Sequence, residues 1–131
     1  MPDKAISYEE LTPGHKFPST KYELSASFVS KYLKAVDSKG DGFVPPLAIT
    51  ACVIAATIKS VPIPPDTIAI HASQELEFFK VVPIGTTIEC HIGVLQKISR
   101  GKMNMLILEL EVIDKDKEKV QSGKATIALP T

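Results

Sequence analysis

The chain changes its hydrophobic period twice. In "SASFVSKYLKAV", Phe28, Val29, Tyr32, Leu33 and Val36 recur at helical spacing and mark one face of an amphipathic helix. Ser25 or Ser27 can cap that helix, because a serine hydroxyl accepts a bond from a free backbone N–H of the first turn. "DSKGDG" ends it with glycines and charges. Pro45-Pro46 opens a second helix, at positions where a proline's missing N–H would have had no partner. From Leu47 to Ile58 this helix is apolar nearly all round. Only Thr50 and Thr57 interrupt it, and a threonine hydroxyl can bond to its own backbone. A helix without a polar face is expected to be buried, with the rest of the chain wrapped around it.

After the "VPIPPD" break the period drops to two. Ile68, Ile70, Ala72, Leu76 and Phe78 alternate with Ala69, His71, Ser73, Glu75 and Glu77. Ile88, Cys90, Ile92 and Val94 alternate with Glu89 and His91, and Leu106, Leu108, Leu110 and Val112 alternate with Ile107, Glu109 and Glu111. Val120 to Leu129 repeats the pattern with small residues. Such alternation predicts strands with one face on a core and the other toward water. Turn signals fall at Pro83–Gly85, at Arg100-Gly101-Lys102 and at the charged tip "DKDKEK". Before the helices, a Pro13-Gly14 turn leads into an extended segment, "KFPSTKYEL".

Together these elements predict one α+β domain over residues 1–131, with a meander of antiparallel strands curled around a central buried helix. That is the hot-dog architecture. An open curled sheet has free edges that attract pairing, so dimerisation is expected, sheet edge to sheet edge or helix to helix.

Composition narrows the classes of function. The chain has 131 residues, 44% of them apolar, and fifteen basic residues balance fifteen acidic ones. A neutral balance gives no surface for tracking phosphates, so nucleic acid is excluded as the expected partner. The opening "MPDKAISYEELTPG" is too polar for a signal peptide. The apolar run Phe43 to Ile58 is shorter than the ~20 residues that span a bilayer. No membrane role and a cytoplasmic protein are expected. Cys52 and Cys90 lie in apolar surroundings and read as buried, reduced thiols.

Several stretches resemble the MaoC-like hydratases and dehydratases. "YEELTPGHKF" resembles the family's opening, and "SFVSKYLKAVDS" its helix before the catalytic loop. "HASQELEFFKVVPIGTTIE" resembles its second strand and following turn, and "RGKMNMLILELEVIDKDKEKVQSGKATIALP" its closing hairpin. The resemblance implies reversible hydration of an enoyl thioester, with acyl-CoA or an acyl-carrier thioester as substrate or ligand and no further cofactor. It implies an Asp/His pair to activate water, backbone N–H groups at the helix start to hold the thioester oxygen, and an apolar tunnel for the acyl chain. It assigns ligand contact to Phe43, Val44, Pro45, Pro46 and Leu47.

The catalytic segment departs from the family's pattern. Between Val36 and Pro45 stands only "DSKGDGFV", without the family's Asn-Pro-x-His and without its longer cover over the acyl chain. Asp37 and Asp41 are candidate acids, but Asp and Gly in such a loop ordinarily build turns. In register with the family, Ser38 falls where its aspartate stands. His71 and His91 sit on the outward parity of their strands, and His71 is the candidate base of a displaced site. His15 beside the Pro13-Gly14 turn has no stronger claim. Glu75 and Glu77 share a strand face, where carboxylates ordinarily serve solubility. Met103 and Met105 can line a channel or a contact. No Cys/His/Asp cluster suggests a metal.

The expected protein is therefore a hot-dog subunit that binds an acyl thioester. It would form a homodimer, or a heterodimer with a catalytic MaoC-like subunit. An active hydratase with a displaced site is the alternative. A thioesterase is disfavoured, because the central helix carries no Asp, Glu or His from Pro45 to Ile58.

Overall fold

A computed structural model describes residues 6–130; the first five residues of the polar opening lie outside them. Strand β1 (Thr20–Glu23) precedes helices α1 (Ala26–Ala35) and α2 (Pro46–Ser60). Four strands follow: β2 (Ile70–Phe78), β3 (Thr87–Arg100), β4 (Met103–Ile113) and β5 (Lys119–Pro130). They form one antiparallel sheet in the order β1-β3-β4-β5-β2. Strands β3, β4 and β5 are the expected meander. Strand β2 does not join its neighbour in sequence; it lies beside β5 and forms one edge, with β1 at the other.

The local signals act where the sequence places them. The Ser25 hydroxyl accepts a bond from the Phe28 N–H at 3.2 Å and starts α1. Pro45 is the cap of α2, and Pro46 is its first residue. Gly85 and Gly101 take positive φ in two of the predicted turns, a conformation that carries no Cβ penalty for glycine.

The alternating residues of β3 and β4 make the core. Ile88, Cys90, Ile92 and Val94, with Leu106, Leu108, Leu110 and Val112, are all buried and cluster with Ala48, Ile49, Cys52, Val53 and Ala56 of α2. Both cysteines are free and buried. Burial, reinforced by Cys52 and Glu89, pushes the Cys90 thiol up to about 12. A buried polar contact pins the start of α2 to the sheet. Gln121 of β5 donates from Nε2 to the Pro46 carbonyl at 2.7 Å, and its Oε1 lies 3.0 Å from the Thr50 hydroxyl.

Two expectations need correction. The first is that α2 is buried all round. One face packs on the sheet, but Leu47 is 57% and Ile58 75% exposed, and Ala51 and Ala55 between them are exposed too. A single five-stranded sheet covers only one side of a helix, so its second apolar stripe is left without cover within the chain.

The second concerns β2. His71 lies opposite Ile127 and Ser73 opposite Thr126, so Ala72 is an extra residue and the strand bulges there. A bulge puts two residues against one and reverses the side-chain alternation. Gln74, Leu76 and Phe78 face inward after it, as their parity predicts. Before it, the inward residues are Ala69 and His71, while Ile68 and Ile70 turn outward, 75% and 45% exposed.

Candidate functional site

The loop between α1 and α2 holds the candidate acids, and both are engaged in shaping it. Asp37 has φ of 52° and stands just past the end of α1, where the Ser38 N–H reaches back to the Leu33 carbonyl at 2.9 Å. That is the closing geometry usually taken by Gly or Asn. Asp41 accepts the Phe43 N–H on Oδ1 at 3.1 Å, an Asx turn. Both carboxylates are otherwise exposed to water.

The segment assigned to ligand contact follows. The Val44 N–H donates to the Val82 carbonyl at 2.9 Å, and Phe43 bridges to Pro83. Val44 itself is buried and anchors the segment. Pro45 is half-buried, and Phe43, Pro46 and Leu47 are exposed.

The bulge in β2 builds a different place. A groove of about 190 Å³ runs between the second half of α2 and the sheet. Ile54, Thr57 and Ile58 form its helix wall, Ala69, His71 and Gln74 its edge-strand wall, and Ala125 and Ile127 its floor. It is mostly apolar. The Thr57 hydroxyl donates to the Val53 carbonyl at 2.8 Å, so toward a guest it can only accept. His71 Nε2 lies 3.0 Å from Gln74 Oε1. The Gln74 amide nitrogen donates to the carbonyls of Glu75 and Lys124, at 3.1 and 3.2 Å, which fixes its oxygen toward the imidazole. His71 Nε2 is then the donor, and Nδ1 is the free acceptor of the neutral ring.

His71, read from parity as outward, thus faces the groove, because Ala72 reverses the alternation. Among the described residues, no carboxylate lines the groove beside it. The groove lies at Thr57, whereas Asp37 and Asp41 precede Pro46, and between those points α2 climbs about 16 Å at 1.5 Å per residue. One chain does not bring His71 together with either aspartate.

The other candidates stay on the outer face. His91 pairs with Glu89 at 3.2 Å, and Glu75 lies opposite Lys124 on β5. The His15 ring packs edge-on against Phe17. Among the described residues, no three His, Cys, Asp or Glu side chains gather as metal ligands, and no helix is long and apolar enough to cross a membrane.

No protein-family model matches the chain, and no curated protein matches it in sequence. Solved structures do match it. The R-hydratase PhaJ1 from Pseudomonas aeruginosa superposes with a TM-score of 0.81 at 19% identity, covering 96% of this chain and 86% of the hydratase. This is the hot-dog fold of the MaoC-like proteins. A MaoC-like dehydratase from Rhodospirillum rubrum matches at 0.78 and 17% identity, over 95% of this chain and 97% of the other. The 3R-hydroxyacyl-ACP dehydratase complex HadBC from Mycobacterium tuberculosis matches at 0.69 and 11% identity, over 88% and 96%. The hot-dog architecture expected from the sequence is thus the fold observed.

Proposed function

We propose that the chain is an acyl-thioester-binding hot-dog subunit, without an acid–base pair of its own, that works paired with a second hot-dog chain. The observation that carries this reading is the apolar groove beside α2, which holds one imidazole and no carboxylate. An acyl chain suits its walls. The His71 imidazole can meet the polar end of such a ligand. The exposed stripe of α2 supports a paired state, because it leaves apolar side chains in water in the single chain. Two buried, free thiols support a reducing, cytoplasmic setting.

Equilibrium dialysis of the purified chain with crotonyl-CoA and with free coenzyme A tests the reading. We expect the acyl thioester to bind at least about tenfold more tightly, the equivalent of burying roughly two methylene groups. Ala125→Trp, which fills the groove floor, should remove that preference. Equal binding of the two compounds, or no binding, sinks the acyl-site reading.

A second reading is favoured by one observation, the turning of His71 into the groove. It makes the protein a hydratase whose imidazole acts as base, with an acid contributed by the other chain of the pair.

A further inference from the structure

We propose that the free edge of β2 docks an edge strand of a different chain, one carrying lysine or arginine opposite Glu75 and Glu77, and that these two carboxylates disfavour pairing of this chain with itself. The inference rests on the paired-subunit reading above and specifies the partner's chemistry.

Among the described residues, strand β2 pairs only with β5, so its other edge is open. Every residue along it except Gln74 is exposed. Its inward side nonetheless carries Leu76, 36% exposed, and Phe78, 48% exposed. Both lie on the side of the sheet that α2 packs on, and Phe78 stands opposite Gln121, whose amide bonds the Pro46 carbonyl where that helix's uncovered stripe begins. A long edge strand with an apolar face is a template for another strand, and the neighbouring helix stripe extends the surface that such a partner would cover.

The outer side of the same strand decides which partner. It presents Ser73, Glu75 and Glu77 in the straight run after the bulge. Within the chain, Lys124 lies opposite both Glu75 on β2 and Glu109 on β4, while Glu77 lies opposite Ser122. One lysine thus stands opposite two glutamates in the register, and Glu77 has no cation directly across the strand.

A two-fold pair joins edges antiparallel and uses the same patch twice. It must also keep inner side chains beside inner ones, so the helices stay on one side of the joined sheet. Only two such registers pair the Ser73–Phe78 run with itself over more than three residues. One sets Glu75 against Glu75 of the second copy. The other sets Glu75 against Glu77 twice. Like charges directly opposite destabilise a strand pair, and opposite charges stabilise it. A partner edge with basic residues at these positions and apolar ones between them converts the repulsion into attraction while covering Leu76 and Phe78.

Sedimentation equilibrium at neutral pH and low ionic strength tests this with the protein itself. Wild type, E75K/E77K and an equimolar mixture of the two are compared. The mixture should associate at least about tenfold more tightly than either component alone, the size expected for replacing several like-charge pairs with opposite ones. Wild type alone associating as tightly as the mixture overturns the proposal. Because E75K places a second ammonium across from Lys124 and can impair folding, E75Q/E77Q provides a second arm. It should self-associate at least about tenfold more tightly than wild type; unchanged self-association overturns the proposal equally. No thioester is present in either arm, so this result and that of the acyl-binding assay are independent.

Discussion

Gly123 of β5 has no room for a methyl group. A Cβ built there would stand 2.1 Å from the Glu75 carbonyl oxygen, a backbone atom of the neighbouring strand that cannot swing aside. Gly123→Ala must therefore push β2 away from β5. We expect a loss of about 1–3 kcal/mol in urea unfolding, the usual range for overpacking. Asp114 is a second tight point. Its Oδ1 accepts the N–H groups of Asp116 and Glu118 at 2.9 and 3.0 Å, and its other oxygen pairs with Lys80. The Lys80 ammonium first, and those backbone donors after it, hold the Asp114 carboxyl below the ordinary carboxylate range. A carboxyl lowered in the folded state stabilises it fully above its unfolded pKa, about 4. That contribution is lost as pH falls through the lower folded value. Asp114→Asn should lower the melting temperature at pH 7 and make the decline below about pH 4 shallower; parallel acid limbs in the two proteins would contradict this. At this scale the sequence was only partly legible. The charged tip "DKDKEK" was visible as a hairpin end, but nothing in it singled out Asp114 as the residue that organises the turn. Gln121 looked like an ordinary strand residue, and only the arrival of Pro46 beside it makes it a buried tie.

Among the elements, β3 and β4 were read correctly because the alternating runs Ile88–Val94 and Leu106–Val112 end before the register shifts at Val94/Gln96 and Val112/Ile113, so parity alone sorts inner from outer within them. Parity failed in β2 because one residue, Ala72, breaks the count, and an alanine in a strand gives no warning of a bulge. Everything upstream of it, His71 included, was therefore assigned to the wrong face. Helix α2 failed differently. Its sequence states that every side of it is apolar, but not which molecule covers each side. Substitutions on its two faces separate these roles. Ile49 is buried, and Ile49→Ala should cost about 2–5 kcal/mol in the isolated chain. Leu47 is 57% exposed, and Leu47→Ala should change the isolated chain by less than about 0.5 kcal/mol. Unfolding measured at low protein concentration checks both. A large loss at Leu47 would mean that its face is already covered under those conditions.

For the whole molecule, the fold was legible well beyond the level at which sequences resemble one another. The order of elements and their periods were enough to expect an architecture that the PhaJ1 hydratase shares at 19% identity. A core needs only apolar side chains at the right spacing, and many sequences satisfy that. A reactive site is more demanding, since acid and base must come within hydrogen-bond reach of the same substrate atoms. Here the two aspartates shape the loop ahead of α2, and the imidazole stands by the second half of that helix. The reading of a binding subunit without an acid–base pair of its own therefore makes a definite kinetic prediction. The purified chain alone should not hydrate crotonyl-CoA above the buffer rate, and His71→Ala should weaken acyl binding without changing that rate. The rival reading demands the opposite. If His71 is a base acting with Asp37 or Asp41 across a pair of chains, the chain hydrates the thioester, and His71→Ala together with one of Asp37→Asn or Asp41→Asn lowers the rate by about 10²–10⁴-fold, the usual contribution of a general acid or base. Mixing the His71→Ala chain with the aspartate variant then decides whether the two groups meet between chains. A pair that forms across chains regains activity in the mixture, because one of its two composite sites has both groups intact. A pair that forms within one chain regains none.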